Sequence, residues 1–142
     1  MTAMIPTIES SPRMHLPYRQ HKESKLKLNL EISESDGVTL VHCKGRITYR
    51  NEAAELSATV GALLSRTRYL VLDLSRVERI DSAGLGELVV LYMQTRACHC
   101  AFKLAAPRPE IWELLQLTNL TSVLEVCATV EEAIVSFRDR VA

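Results

Sequence analysis

No stretch of this chain comes near the ~20 consecutive apolar residues that a membrane-spanning helix requires. Direct membrane insertion is therefore not expected, and any membrane association would run through a partner. No positively charged leader followed by a long apolar run marks the chain for export. Cysteine is sparse as well: Cys43, Cys98, Cys100 and Cys127 are too few and too irregularly spaced for a disulfide framework. Reduced thiols and a cytoplasmic location are the expectation. Net charge is also missing, with 17 Lys and Arg against 17 Asp and Glu. That balance argues against a nucleic-acid partner bound through overall charge.

Familiar catalytic and ligand-binding signatures are equally absent. Gly84-Leu85-Gly86 lacks the lysine of a phosphate-binding loop. Ser82 lacks the Gly-x-Ser-x-Gly elbow of a hydrolase, and none of His15, His21, His42 and His99 is placed by sequence as its base. Cys98-His99-Cys100 has no second ligand pair at zinc-finger spacing and reads as a junction between helix and strand. No cofactor, no metal and no enzymatic activity are expected, because no acid, base and nucleophile converge.

What is present fits one domain of 142 residues, large enough to bury a core without staples. Residues 1–25 hold three of the five prolines (Pro6, Pro12, Pro17) and no sustained hydrophobic period, so they read as a flexible N-terminal arm before a domain over 26–142. The arm and its junction are basic, with Arg13, Arg19, Lys22, Lys25 and Lys27 against Glu9 and Glu23. The remainder is therefore slightly acidic, which suits protein partners better than DNA.

Alternation over 27–34, with Leu26, Leu28, Leu30 and Ile32 on one side, predicts an edge strand. Asp36-Gly37 predicts a tight turn into a second strand over 38–43 that Gly45 ends, with Ile47 as a buried anchor and Thr48 or Asn51 as a cap. Ala53, Leu56, Val60, Leu63 and Leu64 recur at helical spacing over 52–66. Residues 69–74 form the most apolar strand, as a covered central strand should. A helix over 84–96 is predicted to turn Leu85, Leu88, Val89, Tyr92 and Met93 inward. A strand over 101–105, a helix over 110–117, a strand over 123–126 and a terminal helix opened by the capping box Thr129-Val-Glu-Glu132 complete the chain. Strands separated by helices imply crossovers: an α/β fold with a mixed, mostly parallel sheet of about five strands, about four helices and an opening β-hairpin.

The informative stretch is 69–86, Tyr-Leu-Val-Leu-Asp-Leu-Ser-Arg-Val-Glu-Arg-Ile-Asp-Ser-Ala-Gly-Leu-Gly. It delivers Asp81 and Ser82 to the start of a helix, where backbone N–H groups lack intrahelical partners. Read alone, Asp81 is a cap or an orienting carboxylate, and Ser82 is an N-cap or a regulatory hydroxyl. Asp73 reads as a hydrogen-bond partner near the strand end rather than a catalytic acid. Gly84 and Gly86 each cost about 1 kcal/mol of helix propensity relative to alanine, which predicts close approach of another backbone at both.

The Leu-Asp-Leu-Ser strand end, the Ile-Asp-Ser-Ala-Gly-Leu-Gly turn and the hairpin closing at Gly45 resemble a STAS domain, most of all the bacterial anti-sigma factor antagonists. The resemblance implies phosphorylation at Ser82. It also implies binding to an anti-sigma factor that is a serine kinase of the histidine-kinase-like ATPase type, release on phosphorylation, and restoration by a serine phosphatase. A weak homodimer is compatible with it. The partner surface it implies comprises Arg46, Thr48, Tyr49, Arg50, Asp81, Ser82, Ala83, Gly84 and Leu85. Gly45-Arg46-Ile47-Thr48 stands where many relatives have a Gly-Glu-Leu-Asp-like run, and Ala83 replaces a common second hydroxyl, leaving Ser82 alone in the turn. The change at Thr48 favours an alternative: a non-catalytic STAS scaffold subunit of a stress-sensing or transport complex.

Overall fold

The computed structural model describes residues 27–49 and 51–141. The expected arm, residues 1–25, lies outside the described residues, as do Leu26 and Arg50. Five strands form one sheet in the order β1-β2-β3-β4-β5, with β1 (Asn29–Ser35) antiparallel to β2 (Val38–Ile47). The other three neighbours, β3 (Tyr69–Ile80), β4 (Ala101–Ala105) and β5 (Val126–Cys127), each run parallel to the strand before. Four helices follow the crossover pattern: α1 (Asn51–Leu63), α2 (Ser82–Ala97), α3 (Pro109–Leu117) and α4 (Val130–Val141).

The β1–β2 hairpin closes through Asp36 at φ 54° and Gly37 at φ 80°, with Ser35 paired to Val38. Two consecutive positive φ values make the primed turn whose twist matches that of the strands, which is why Asp-Gly is found there. On one face of the sheet α1, α2 and α3 bury Leu56, Val60, Leu88, Leu91, Ile111 and Leu115 against Val41, Leu70, Leu72, Leu74 and Leu104. On the other face α4 alone packs Ala133 and Phe137 onto Val38, Leu40, Val71 and Ala105. The Tyr69 ring lies 5.1 Å from that of Phe137. One helix cannot cover five strands, so among the described residues nothing covers part of this second face, beside β1 and the far ends of β2 and β3.

Several boundaries differ from the sequence expectation. Gly45 does not end β2; the strand runs on to Ile47 through register shifts at His42/Lys44 and Gly45/Arg46. Gly45 is required inside it because φ is +113° and a Cβ there would collide with the Lys27 carbonyl. β3 continues past Leu74 to Ile80, burying Val77 and Ile80 although its outward residues are charged. α1 tightens into a 3₁₀ turn over Leu64–Arg66. β5 is shorter and later than 123–126, because Val123 and Leu124 donate to the Leu120 carbonyl and are spent on a turn. The terminal capping box forms in part: the Glu132 N–H donates to Thr129 Oγ1 at 3.0 Å, but the Glu132 carboxylate reaches one residue further back and accepts the Ala128 N–H at 3.3 Å.

Candidate functional site

α2 begins at Ser82, two residues before the sequence expectation, and its N-cap is Asp81 rather than Ser82. Asp81 has extended backbone (φ −102°, ψ −174°), which frees its carboxylate to fold back: Oδ1 accepts the Gly84 N–H at 2.9 Å. Oδ2 accepts the Tyr49 N–H at 3.0 Å. One side chain thus satisfies an orphan donor of the helix and fastens the loop after β2 to the same turn. Ser82 takes the first helical position; it is exposed, and its hydroxyl makes no hydrogen bond among the described residues. Ala83 beside it is half-buried.

Gly84 is the packing hinge of the site. A Cβ there would run into the Ile47 carbonyl oxygen and come within 2.9 Å of Ile80 Cγ2, so only glycine lets α2 start against the ends of β2 and β3. Gly86 meets nothing within 4 Å, so among the described residues the close approach of a neighbouring strand exists at Gly84 and not at Gly86. That contact also sets the rotation of α2. Its buried line is Gly84, Leu88, Leu91 and Thr95, with Leu85 and Tyr92 packed at the flank. Met93, expected inside, is 62% exposed, and Val89 is only half-buried.

Of the loop residues, Tyr49 is exposed and sits on Asp81 through its backbone, while Arg46 is half-buried at the end of β2. Thr48 does not cap α1 with its side chain. Its carbonyl accepts the Ala53 N–H at 3.0 Å, and its hydroxyl donates to Glu52 Oε1 at 3.2 Å. Asn51 is the first residue of α1. Arg50 lies outside the described residues. Asp81, Ser82, Ala83, Gly84, Leu85 and Tyr49 therefore share one rim, at the ends of β2 and β3.

Asp73 is the hydrogen-bond partner that the sequence suggested. It accepts the Ser75 N–H at 3.0 Å and pairs with His42 Nδ1 at 2.7 Å. Burial opposes its ionisation, but the Ser75 and His42 hydrogen bonds outweigh that, and the carboxyl sits below its usual range. His42 Nε2 lies 3.0 Å from Ser33 Oγ, giving a Ser-His-Asp line across three strands. The adjoining recess, about 380 Å³, is lined by Asn29, Glu31, His42, Lys44, Asp73 and Arg76 but not by Ser33. The line ties β1, β2 and β3 together beside this recess. Burial pushes the Cys43 thiol far above its usual range and the Cys100 thiol up to about 11, which keeps both protonated and unreactive at neutral pH. Among the described residues no group of three or more His, Cys, Asp or Glu side chains is placed to hold a metal, and no helix is long and apolar enough to cross a membrane.

Sequence reasoning named Arg46 for the partner surface but missed the three other cations on the outer ends of β2 and β3, Lys44, Arg76 and Arg79. Lys44 is register partner of Arg76, and Arg46 of Arg79. The alternation of Lys44 and Arg46 is visible in the sequence, but their partners depend on a register that two bulges shift.

This geometry agrees with comparison to known proteins. Residues 29–133 match the STAS domain family, and the chain belongs to it. A Bordetella bronchiseptica relative provisionally named anti-sigma factor antagonist BtrV is 27% identical over 112 residues, covering 78% of this chain and 96% of that protein. The crystal structure of an anti-sigma factor antagonist from Mycobacterium paratuberculosis superposes with a TM-score of 0.72 at 27% identity, covering 79% of this chain and 95% of that one. The fold is shared with SpoIIAA in its unphosphorylated form, at a TM-score of 0.65 and 18% identity over 78% of this chain and 97% of that one. The STAS fold and mostly parallel sheet expected from the sequence are thereby established.

Proposed function

We propose that this chain is an anti-sigma factor antagonist that binds an anti-sigma factor serine kinase of the histidine-kinase-like ATPase type and is switched off by phosphorylation at Ser82. A serine phosphatase would restore the binding form. In this reading residues 26–142 are the STAS domain, 1–25 an appended arm, and the site of action the cytoplasm. The observation that carries it is the Ser82 hydroxyl, exposed and without a hydrogen bond among the described residues at the first position of α2, on a rim fastened by Asp81 and Gly84. The names of the relatives matched along most of the chain support the same reading.

Phosphate adds about −1.5 to −2 charges at neutral pH. The helix N-terminus stabilises that charge by roughly 0.3–1 kcal/mol, while the Asp81 carboxylate opposes it. Among the described residues the Ser82 hydroxyl holds no hydrogen bond that phosphorylation would break, so the fold should survive modification. A partner packed over the turn must then bury an unmatched dianion. A loss of several kcal/mol there lowers affinity more than about a hundredfold. Incubation with the anti-sigma kinase of the same organism and Mg-ATP, followed by intact-mass measurement, should add one phosphate to the wild type and none to Ser82→Ala. Ser82→Asp should fold normally yet bind that kinase more than about a hundredfold more weakly; equal binding overturns the switch.

One observation favours a second reading. Position 48 carries no carboxylate, and the Thr48 hydroxyl is engaged with Glu52 inside the loop. A permanent contact through the same rim, as in a STAS scaffold subunit of a stress-sensing or transport complex, needs no phosphate acceptor. Absence of transfer from every anti-sigma kinase of the organism selects it.

A further inference from the structure

The outer ends of β2 and β3 break a rule that the rest of the sheet obeys. On the face left open by α4, successive register pairs run His42 with Asp73, Lys44 with Arg76, and Arg46 with Arg79. The first pair is complementary, with His42 Nδ1 and Asp73 Oδ2 hydrogen-bonded at 2.7 Å. The next two set like charges directly opposite each other, an arrangement that destabilises a sheet. Among the described residues none of these four cations makes a salt bridge; the ion pairs there are His42–Asp73, Lys103–Glu125 and Arg138–Asp36. The Nε of Arg46 is buried with no hydrogen-bond partner among the described residues. Arg108 adds a fifth cation, its Nε donating to the Ser75 carbonyl at 3.3 Å. Of the nearby acids, Asp73 is hydrogen-bonded to His42, Glu78 stands at a register shift opposite no residue of β2, and Glu31 lines the recess beside Lys44 and Arg76 without a salt bridge among the described residues.

We propose that this basic ladder, Lys44, Arg46, Arg76 and Arg79, docks an acidic polypeptide segment of the partner that covers the Ser82 turn. The proposal rests on the reading of Ser82 as the switch and deepens it by stating the partner's chemistry. Two like-charge pairs without a salt bridge in a folded sheet are the kind of local conflict that marks a functional surface, and an acidic segment from a partner would relieve this one. The ladder is continuous with the switch: Ile47 and Ile80 form the next register pair, and Asp81 and Ser82 follow at once. The occupant is not residues 1–26, whose Arg13, Arg19, Lys22 and Lys25 outnumber Glu9 and Glu23. Equal totals of acidic and basic residues also make a nucleic acid or an anionic bilayer a poor match. A phosphate at Ser82 places negative charge at the end of the ladder, repelling the acidic segment that the cations attract.

The test titrates the unphosphorylated full chain with an oligoglutamate peptide and follows backbone amide resonances. Shifts are expected at 44–47 and 76–80, with binding that weakens as salt rises. Arg46→Gln with Arg79→Gln should weaken it about tenfold. The same double variant should keep or raise the thermal midpoint, since it removes a repulsion, and this separates lost docking from lost folding. Ser82→Ala should bind the peptide like the wild type. The proposal is overturned by shifts elsewhere or by no binding. It is equally overturned by tighter binding to duplex DNA or to phosphatidylglycerol vesicles at the same salt, or by self-association that the double variant abolishes. If the peptide binds but no kinase phosphorylates Ser82, the switch fails and the acidic docking stands. If the kinase phosphorylates Ser82 yet binds the double variant as it binds the wild type, the docking fails and the switch stands.

Discussion

The two halves of β3 are one strand in two environments. Residues 69–74 lie between β2 and β4 with helices on both faces, and Leu70, Val71, Leu72 and Leu74 are sealed from water. Pairing with β4 stops at Asp73, and from Ser75 to Ile80 the strand is held by β2 alone. There one face still buries Val77 and Ile80, while the other carries Arg76 and Arg79. The inner half supplies stability, and the outer half carries that stability out to a rim where a hydroxyl can be offered to another protein. In the proposed reading, the switch sits where the strand has lost a neighbour on one side and kept its core on the other.

The sharpest way to break this contrast is to truncate one side chain in each half. Leu72→Ala should cost about 2–5 kcal/mol, because a fully enclosed leucine leaves a cavity that the sheet cannot collapse. Arg76→Ala, exposed on the outer half, should stay within about 0.5 kcal/mol of the wild type. Urea unfolding of both variants measures the difference; equal losses would mean that the outer half is as closely packed as the inner.

The rim itself offers a second contrast. Gly84→Ala forces a methyl into the Ile47 carbonyl and should cost about 1–3 kcal/mol, with backbone shifts at the ends of β2 and β3. Gly86→Ala, two residues on with open space around it, should stabilise by up to about 1 kcal/mol. Opposite signs in thermal unfolding locate the close approach at Gly84. Asp81→Ala should fall between them, a loss of about 0.5–2 kcal/mol for a cap, and it should release the loop as well. Hydrogen exchange reads both at once, with faster exchange expected at the Gly84 and Tyr49 amides together.

How much of this was legible in the sequence follows the same division. The inner half of β3 announced itself by continuous apolar residues, and α1 and α4 by their spacing, because burial on a covered face leaves a regular period. The outer half did not. Glu78 is an extra residue at a bulge, so Val77 and Ile80 are three apart instead of two and the alternation is lost. Ser82 was legible as a position by its motif, but the choice between Asp81 and Ser82 as N-cap rests on a backbone angle that no residue type dictates. The direction of α2 was misjudged at Met93 because a contact with Ile47, distant in sequence, fixes the helix rotation.

Asp73 stands where the two halves of β3 meet, and its protonation probes the join most gently. Its carboxyl titrates below the ordinary aspartate range because the Ser75 and His42 hydrogen bonds outweigh the effect of burial. A folded-state pKa below the unfolded one gives stability that is fully present above the unfolded value, about 3.9. That stability is lost as pH falls through the lowered folded value. The advantage of the wild type over Asp73→Asn should therefore hold down from about pH 5 and then shrink as the medium is acidified through the aspartate range. Denaturant unfolding at stepped acidic pH measures it. A gap that stays constant to the lowest pH would mean that Asp73 contributes shape and not charge, and that the two halves are joined by packing alone.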